Sequence, residues 1–288
     1  MTDRPTRVVD AHVHLWDPAR IDWYPYLSHP QQPDTADVSR MSRLFDVGTY
    51  RAESAGWNVE KFVNVAAATG RHSIDETIEL DGEASARGGP DAIIGGILPA
   101  DTVAESVELL DRQMEASRFR GVRPMGRHEA PLPDAGVLRA LQDRNLLFEL
   151  MAHPDQLRAA AEGLAGFDDL VVVVEHTGWP RSDADEERVL WRDGIDALAG
   201  LGEHVVCKLS GLAMPLETMS VAAFSPWFEY AIDAFGVDRC MFASNFPVDS
   251  MYGTFDELYG VLSAVTAGLD GASRGKLFAE NAERVYRC

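Results

Sequence analysis

Eight short runs rich in β-branched and other apolar residues recur along the chain, each followed by a segment with helical spacing and charged positions. The runs are Arg7–Leu15, Lys61–Ala68, Ala92–Leu98, Phe119–Met125, Leu146–Ala152, Leu170–His176, His204–Ser210 and Arg239–Asn245. Between them the period of 3.6 residues predicts helices, among them 103–116, 134–144, 154–165, 187–201, 225–236 and 254–269. Strands that alternate with helices need crossover connections, which are right-handed and leave the strands parallel. Eight such units in 288 residues fit a closed (β/α)8 TIM barrel. The competing open, doubly wound sheet carries a glycine-rich phosphate turn after its first strand, and none follows Leu15. The expectation is one barrel domain over residues 1–288, with a long loop after the first strand from Asp17 to about Tyr50.

Composition narrows the partners. The formal net charge of -20 repels nucleic acid and anionic membrane surfaces, so neither is expected; a small anionic substrate answers to the charges of its own pocket instead. Cys207, Cys240 and Cys288 are far apart and odd in number, which reads as reduced thiols and not as a disulfide frame or a zinc knuckle. The first residues are polar, with no apolar leader, and no run approaches the length of a membrane span, so the expected location is the cytoplasm. A small-molecule substrate is the expected partner, and self-association into a homo-oligomer is left open.

The first strand departs from this pattern, because Val8–His14 puts two imidazoles one residue apart where a buried strand wants hydrocarbon. Side chains alternate faces along a strand, so Val8, Asp10, His12 and His14 are expected to share the face toward the barrel axis. Val9, Ala11, Val13 and Leu15 are then expected against the helices. Polar groups on the axis without partners are costly, and histidines at i and i+2 can converge on one ion, anion or substrate. Polar residues recur at the same end of other strands: Arg123, His153, His176, Lys208 and Asn245. Barrel enzymes keep their chemistry there. A lysine facing the interior needs a carboxylate or a substrate, and Glu149 is the structural alternative for Lys208.

Taken in order, these motifs resemble the amidohydrolase superfamily, in the amidohydrolase-related branch that contains sugar-lactone and pyrone-dicarboxylate lactonases. "VDAHVHLWD" is similar to its opening DxHxHxW motif, "RGVR" to its fourth-strand arginine motif and "VVVVEHTGWP" to DHxGxP. "VVCKLSGL" is similar to KLSGL, "FASNFPV" to GSDWP and "LFAENAERVYR" to the closing helix. The resemblance implies that His12, His14 and His176 form the floor of the site, where they are expected to bind either a divalent metal, zinc, or the substrate's carbonyl directly, and that Lys208 and Arg123 hold an oxygen-rich substrate. It implies a role for His153 as ligand or base, since the fifth strand supplies a metal-binding histidine in several relatives. It also implies a strand 8 aspartate that takes a proton from water. Asn245 stands there instead, and an amide cannot act as a general base near neutral pH. With that charge missing, the metal is expected to be weakly held or absent.

The catalytic set expected is therefore His176, His153, Asn245 and Lys208, with Arg123, Tyr26 and Trp16 on the substrate and His12, His14 and His176 on the metal. Trp16, Trp23, Tyr24 and Tyr26 could wall the substrate from the first loop. Asp249, four residues past Asn245, is read as a surface residue, and Arg127 as a solvated loop residue. The activity expected is hydrolysis of a cyclic ester. The alternatives are decarboxylation of an aromatic acid, or ligand binding without turnover because Asn245 replaces the aspartate.

Overall fold

The computed structural model describes residues 4–28, 38–98, 102–125 and 131–288. Its eight strands are β1 (Val8–Val13), β2 (Val59–Val65), β3 (Ala92–Ile97), β4 (Phe119–Pro124), β5 (Leu147–Leu150), β6 (Val172–Val174), β7 (Val205–Leu209) and β8 (Cys240–Phe242). Each pairs in parallel with the next, in sequence order. The ring closes through a parallel bridge between Val13 and Phe246, flanked by Asn245 N–H on His12 O at 2.9 Å and His14 N–H on Phe246 O at 2.8 Å. All eight expected strands are present, in a (β/α)8 barrel.

Helices α1 (Val47–Glu53), α2 (His72–Arg87), α3 (Val103–Gln113), α4 (Ala135–Asp143), α5 (Pro154–Leu164), α6 (Asp185–Ala199), α7 (Val221–Phe235) and α8 (Phe255–Val265) follow the strands in turn. Their starts are written locally. Thr102 and Thr254 form capping boxes with Glu105 and Glu257, Asp134 accepts from Gly136 N–H, and Pro154 occupies the first turn of α5. Helix α2 was not among the predicted segments, and its buried side shows why. Ser73, Glu76 and Thr77 are buried beside Ile74 and Ala84, so the stripe that faces the barrel is half polar. In the loop after β1 the described residues include one helical turn at Pro25–Ser28 and then α1. Among the described residues no helix is long and apolar enough to cross a membrane.

The expected alternation along β1 is overturned at its start. Val9 and Ala11 join the inner cluster with Val63, Val65, Ile94, Val173, Val206 and Met241, while Val8 and Val13 join the outer one. Asp10 points outward, accepting from Tyr50 Oη at 2.9 Å on α1 and from Ser244 N–H at 2.8 Å. The cause is a β-bulge. Asp10 pairs with Phe62 and Val13 with Asn64, so three steps on β1 match two on β2 and the phase flips between them. Ala11 and His12 can then both turn inward, with His14 following two residues on. The C-terminal helix α9 (Asn281–Tyr286) packs on the inner cluster through Ala282, Val285 and Tyr286.

Asp10 therefore ties β1 to β8 and α1 without contributing to the chemistry of the interior. Asp10→Ala strands the buried Ser244 amide and Tyr50 hydroxyl and should lower unfolding stability by roughly 3 kcal/mol. Urea denaturation checks it, and a shift below about 1 kcal/mol would mean that the seam closes without this carboxylate.

Candidate active site

The bulge delivers His12 and His14 to the axis with their Nε2 atoms 3.1 Å apart and their rings edge to face. His14 Nδ1 lies 2.8 Å from Val65 O; a carbonyl only accepts, so this nitrogen carries the proton and Nε2 is bare. His12 has the opposite polarity. Lys208 Nζ lies 3.3 Å from His12 Nδ1, and an ammonium only donates, which places the His12 proton on Nε2, directed at His14. Burial first, then the nearby Lys208 charge, holds His12 well below the usual histidine range. Burial and the Arg123 charge bring His14 down to about 3. Both imidazoles are thus neutral at pH 7.

Lys208 is wholly buried and spends its other donors on Glu149, at 2.7 and 2.8 Å. Tyr286 Oη on α9 adds a third bond to that carboxylate at 2.6 Å. Lys208, with all three N–H groups engaged, reaches a substrate only through His12. The structure makes it a group that sets the tautomer of His12, where the sequence suggested a direct substrate contact.

His176 ends β6 on a strained turn. His176, Thr177, Gly178 and Trp179 all have positive φ, three of them not glycine, and such a run persists only where packing enforces it. The packing is visible at Gly211, where a Cβ would lie 2.6 Å from the His176 ring; only glycine lets the imidazole settle there. Ser210 Oγ lies 3.0 Å from His176 Nδ1, leaving Nε2 toward the axis, and the His12 and His176 ring centres are 4.6 Å apart. Burial and the charges of Lys208 and Arg123 keep His176 neutral too.

Beside it, Glu175 is buried with neither carboxylate oxygen in a hydrogen bond. Arg123 Nη1 approaches Glu175 Oε2 at 3.5 Å, and Arg123 Nε is itself buried without a partner. Burial, opposed by Arg123 and assisted by the carboxyl contact with Glu149 and then by the Glu149 charge, raises Glu175 to about 8. Ligand atoms of His12, Glu175 and His176 all lie within 4.8 Å of one another. Two imidazole nitrogens and an orphaned carboxylate are a donor set that zinc accepts, and the His14 Nε2 lies beside it. Glu175 lies inside the segment likened to DHxGxP, and sequence reasoning missed it as a donor. Its signal was its place two residues after Val173, on the inward parity of β6.

Asn245 is buried against His14, its Nδ2 donating to Asp249 Oδ1 at 2.8 Å. Asp249 is 1% exposed, so the expected surface role is wrong; the chain after β8 turns back through Asp249 N–H on Asn245 O at 3.1 Å. Burial raises this carboxylate to about 7. His153 is at the N-terminus of α5, its Nδ1 on Trp179 O at 2.9 Å, which again leaves Nε2 bare. The Trp179 ring lies between the two histidines, 4.7 Å from His153 and 5.9 Å from His176. Trp16 stacks behind His14 at 5.9 Å with Tyr26 edge-on to it, and Tyr26 Oη donates to Ala67 O at 3.0 Å. Trp23 and Tyr24 pack away from the cluster, on His72 and Glu76. Arg127 lies outside the described residues.

The model of the amidohydrolase family matches residues 9–288. This chain belongs to the amidohydrolase family. It is a hydrolase by that membership, and its relatives span it end to end. It is 31% identical over 297 residues to the uncharacterized protein y4mH of Sinorhizobium fredii, covering 97% of this chain and 98% of that one. It is 27% identical to a protein of Burkholderia multivorans named L-fucono-1,5-lactonase, covering 96% and 95%. A crystal structure of an amidohydrolase from Burkholderia multivorans with bound zinc superposes with a TM-score of 0.81 at 25% identity, covering 98% and 99%. A 5-carboxyvanillate decarboxylase from Sphingomonas paucimobilis shares the fold alone, with a TM-score of 0.69 at 16% identity.

In this amidohydrolase the Lys208–Glu149 pair is the most deeply buried charge pair near the site. Lys208→Met leaves Glu149 charged without its counterion and should cost roughly 3–5 kcal/mol. Adding Glu149→Leu should restore most of that loss. Equilibrium unfolding of the two single variants and the double checks it, and additive losses would show that the pair is not coupled.

Proposed function

We propose that this amidohydrolase opens a lactone, the cyclic ester of a sugar acid or of an aromatic-breakdown product, by attack of water. The observation that carries the reading is the meeting of three neutral imidazoles, an orphaned buried carboxylate and an arginine with an unpaired Nε at the C-terminal mouth of the barrel. The lactonase name of a relative at 27% identity supports it.

Lactone hydrolysis needs a substrate held by its oxygens, a water aimed at the carbonyl, a group to take its proton, and donors where the oxyanion forms. Arg123 supplies donors for a hydroxyl or a carboxylate, since its buried Nε awaits an acceptor. In the metal-free site His12 Nε2–H, polarised through Nδ1 by Lys208, would turn from His14 to the developing oxyanion; with an ion bound, that nitrogen would have to shed its proton to ligate. His153 takes the proton of water on its bare Nε2 while Trp179 O steadies the other nitrogen, and returns it to the ring oxygen as the ester bond breaks. Trp16 and Tyr26 stiffen the wall behind His14. His12, Glu175 and His176, with His14 adjoining, would hold a divalent ion, and bound zinc would lower the pKa of its water and polarise the carbonyl. Glu175, which burial holds protonated near pH 7, would on losing its proton to bind the ion return to that set the negative charge that Asn245 removes from it.

A proton-release screen of sugar and pyrone lactones tests the reaction. One proton per ring opened is expected, and release of carbon dioxide from aromatic acids instead would replace this reading with decarboxylation. His176→Ala should lower kcat/KM by about 1000-fold and His153→Ala by about 100-fold. A loss under about tenfold in His153→Ala removes it as the base. Glu175→Gln should reduce zinc retained through dialysis at least about tenfold, read by elemental analysis. Activity that survives complete chelation would exclude an obligatory metal.

A further inference from the structure

We infer that Asp249 is the positioning residue that makes Asn245 an acceptor aimed at the hydrolytic water, an inference that rests on the hydrolytic reading above. An asparagine has two chemically opposite ends, and nothing in the side chain itself decides which one faces the site. Here a carboxylate decides. Asp249 Oδ1 receives Asn245 Nδ2 at 2.8 Å, so the amide nitrogen must lie on that side and Oδ1 is turned away from it. The backbone holds both partners. Asn245 has φ 56° with its N–H on His12 O, and the turn that returns Asp249 is closed by Asp249 N–H on Asn245 O. Asp249 is buried, so solvent does not compete for the bond.

On its other side the amide meets His14. His14 Nδ1 is spent on Val65 O and its Nε2 faces His12 Nε2–H at 3.1 Å, so the acceptor left on this side is Asn245 Oδ1. A water that donates one hydrogen to it keeps the other for the base and presents a lone pair to the substrate carbonyl. Asn245 thereby retains the orienting half of the expected aspartate's work, and proton removal passes to another residue.

The same contact explains why aspartate is disfavoured at 245: two carboxylates at hydrogen-bond distance in a buried turn would repel each other. Asn245→Asp alone is therefore expected to lose activity. The test compares Asp249→Asn, Asn245→Asp and the swapped pair N245D/D249N, with thermal midpoints measured and rates read well below the lowest of them. Each single variant should lose about tenfold or more in kcat with KM within about twofold, and the swap, which rebuilds the bond with the charge exchanged, should return to within about threefold of the starting enzyme. A folded Asp249→Asn enzyme with kcat within twofold overturns the inference and leaves the lactonase reading intact. Should that variant not fold, the swap decides, since a folded but inactive swap also overturns it. If the starting enzyme opens no lactone, the hydrolytic reading falls and takes the water-orienting role with it. The pairing is then read from thermal midpoints, and a swap no more stable than the single variants overturns that as well.

Discussion

The seam between β1 and β8 is the constraint on which the remaining structure depends. A ring of parallel strands has no edge only if its first and last members meet, and here they meet over a few contacts: the Val13–Phe246 bridge, the two flanking backbone bonds, and Ser244 N–H on Asp10. The site is built across this seam. His12 and His14 come from one side of it and Asn245 from the other, so closure of the barrel and assembly of the site are one event. The bulge in β1 is the local price of that arrangement, because it lets Asp10 face outward to hold the seam while His12 and His14 face the axis.

Charge inside the barrel opposes charge outside it. The chain carries a formal net charge of -20, yet the groups that shape the site include a buried Lys208 and a half-buried Arg123, set against Glu149 and Glu175. The cations and the burial keep three imidazoles neutral, which is the state in which their nitrogens accept protons or ligate. Each histidine has one nitrogen engaged by a defined partner: Lys208 for His12, Val65 for His14, Ser210 for His176 and Trp179 for His153. The carbonyl partners leave Nε2 of His14 and His153 bare, and the ammonium of Lys208 puts the His12 proton on Nε2. A surface of the same composition with solvated histidines would have no such definition.

Much of this was legible in the chain before folding. The eight strands followed from short apolar runs, because a parallel barrel strand is buried on both faces and cannot hide its hydrocarbon content. The histidines at strand ends followed because an imidazole in a run of valines is costly without a purpose. What escaped was long-range or phase-dependent. Helix α2 buries polar residues and lacked a stripe. The orientation of Asp10 was misread because a bulge changes the period by one residue without leaving a glycine or proline to mark it. Asp249 was misread because a carboxylate after a proline turn looks solvated until the turn is seen to fold back.

The amino-acid sequence by itself determined the (β/α)8 architecture, the end of the barrel that carries the chemistry, and the residues His12, His14, His176, Arg123, Lys208 and Asn245 as the ones that gather there. Periodicity and the cost of burying polar atoms are properties of short segments, and a linear chain displays them. Only the tertiary structure decided that Glu175 joins the histidines, that Lys208 is committed to Glu149 and His12, and that Asp249 fixes the amide of Asn245. Those facts depend on which atoms of different strands meet across the interior, and that is set by register, bulge and turn acting together, none of which a segment specifies alone.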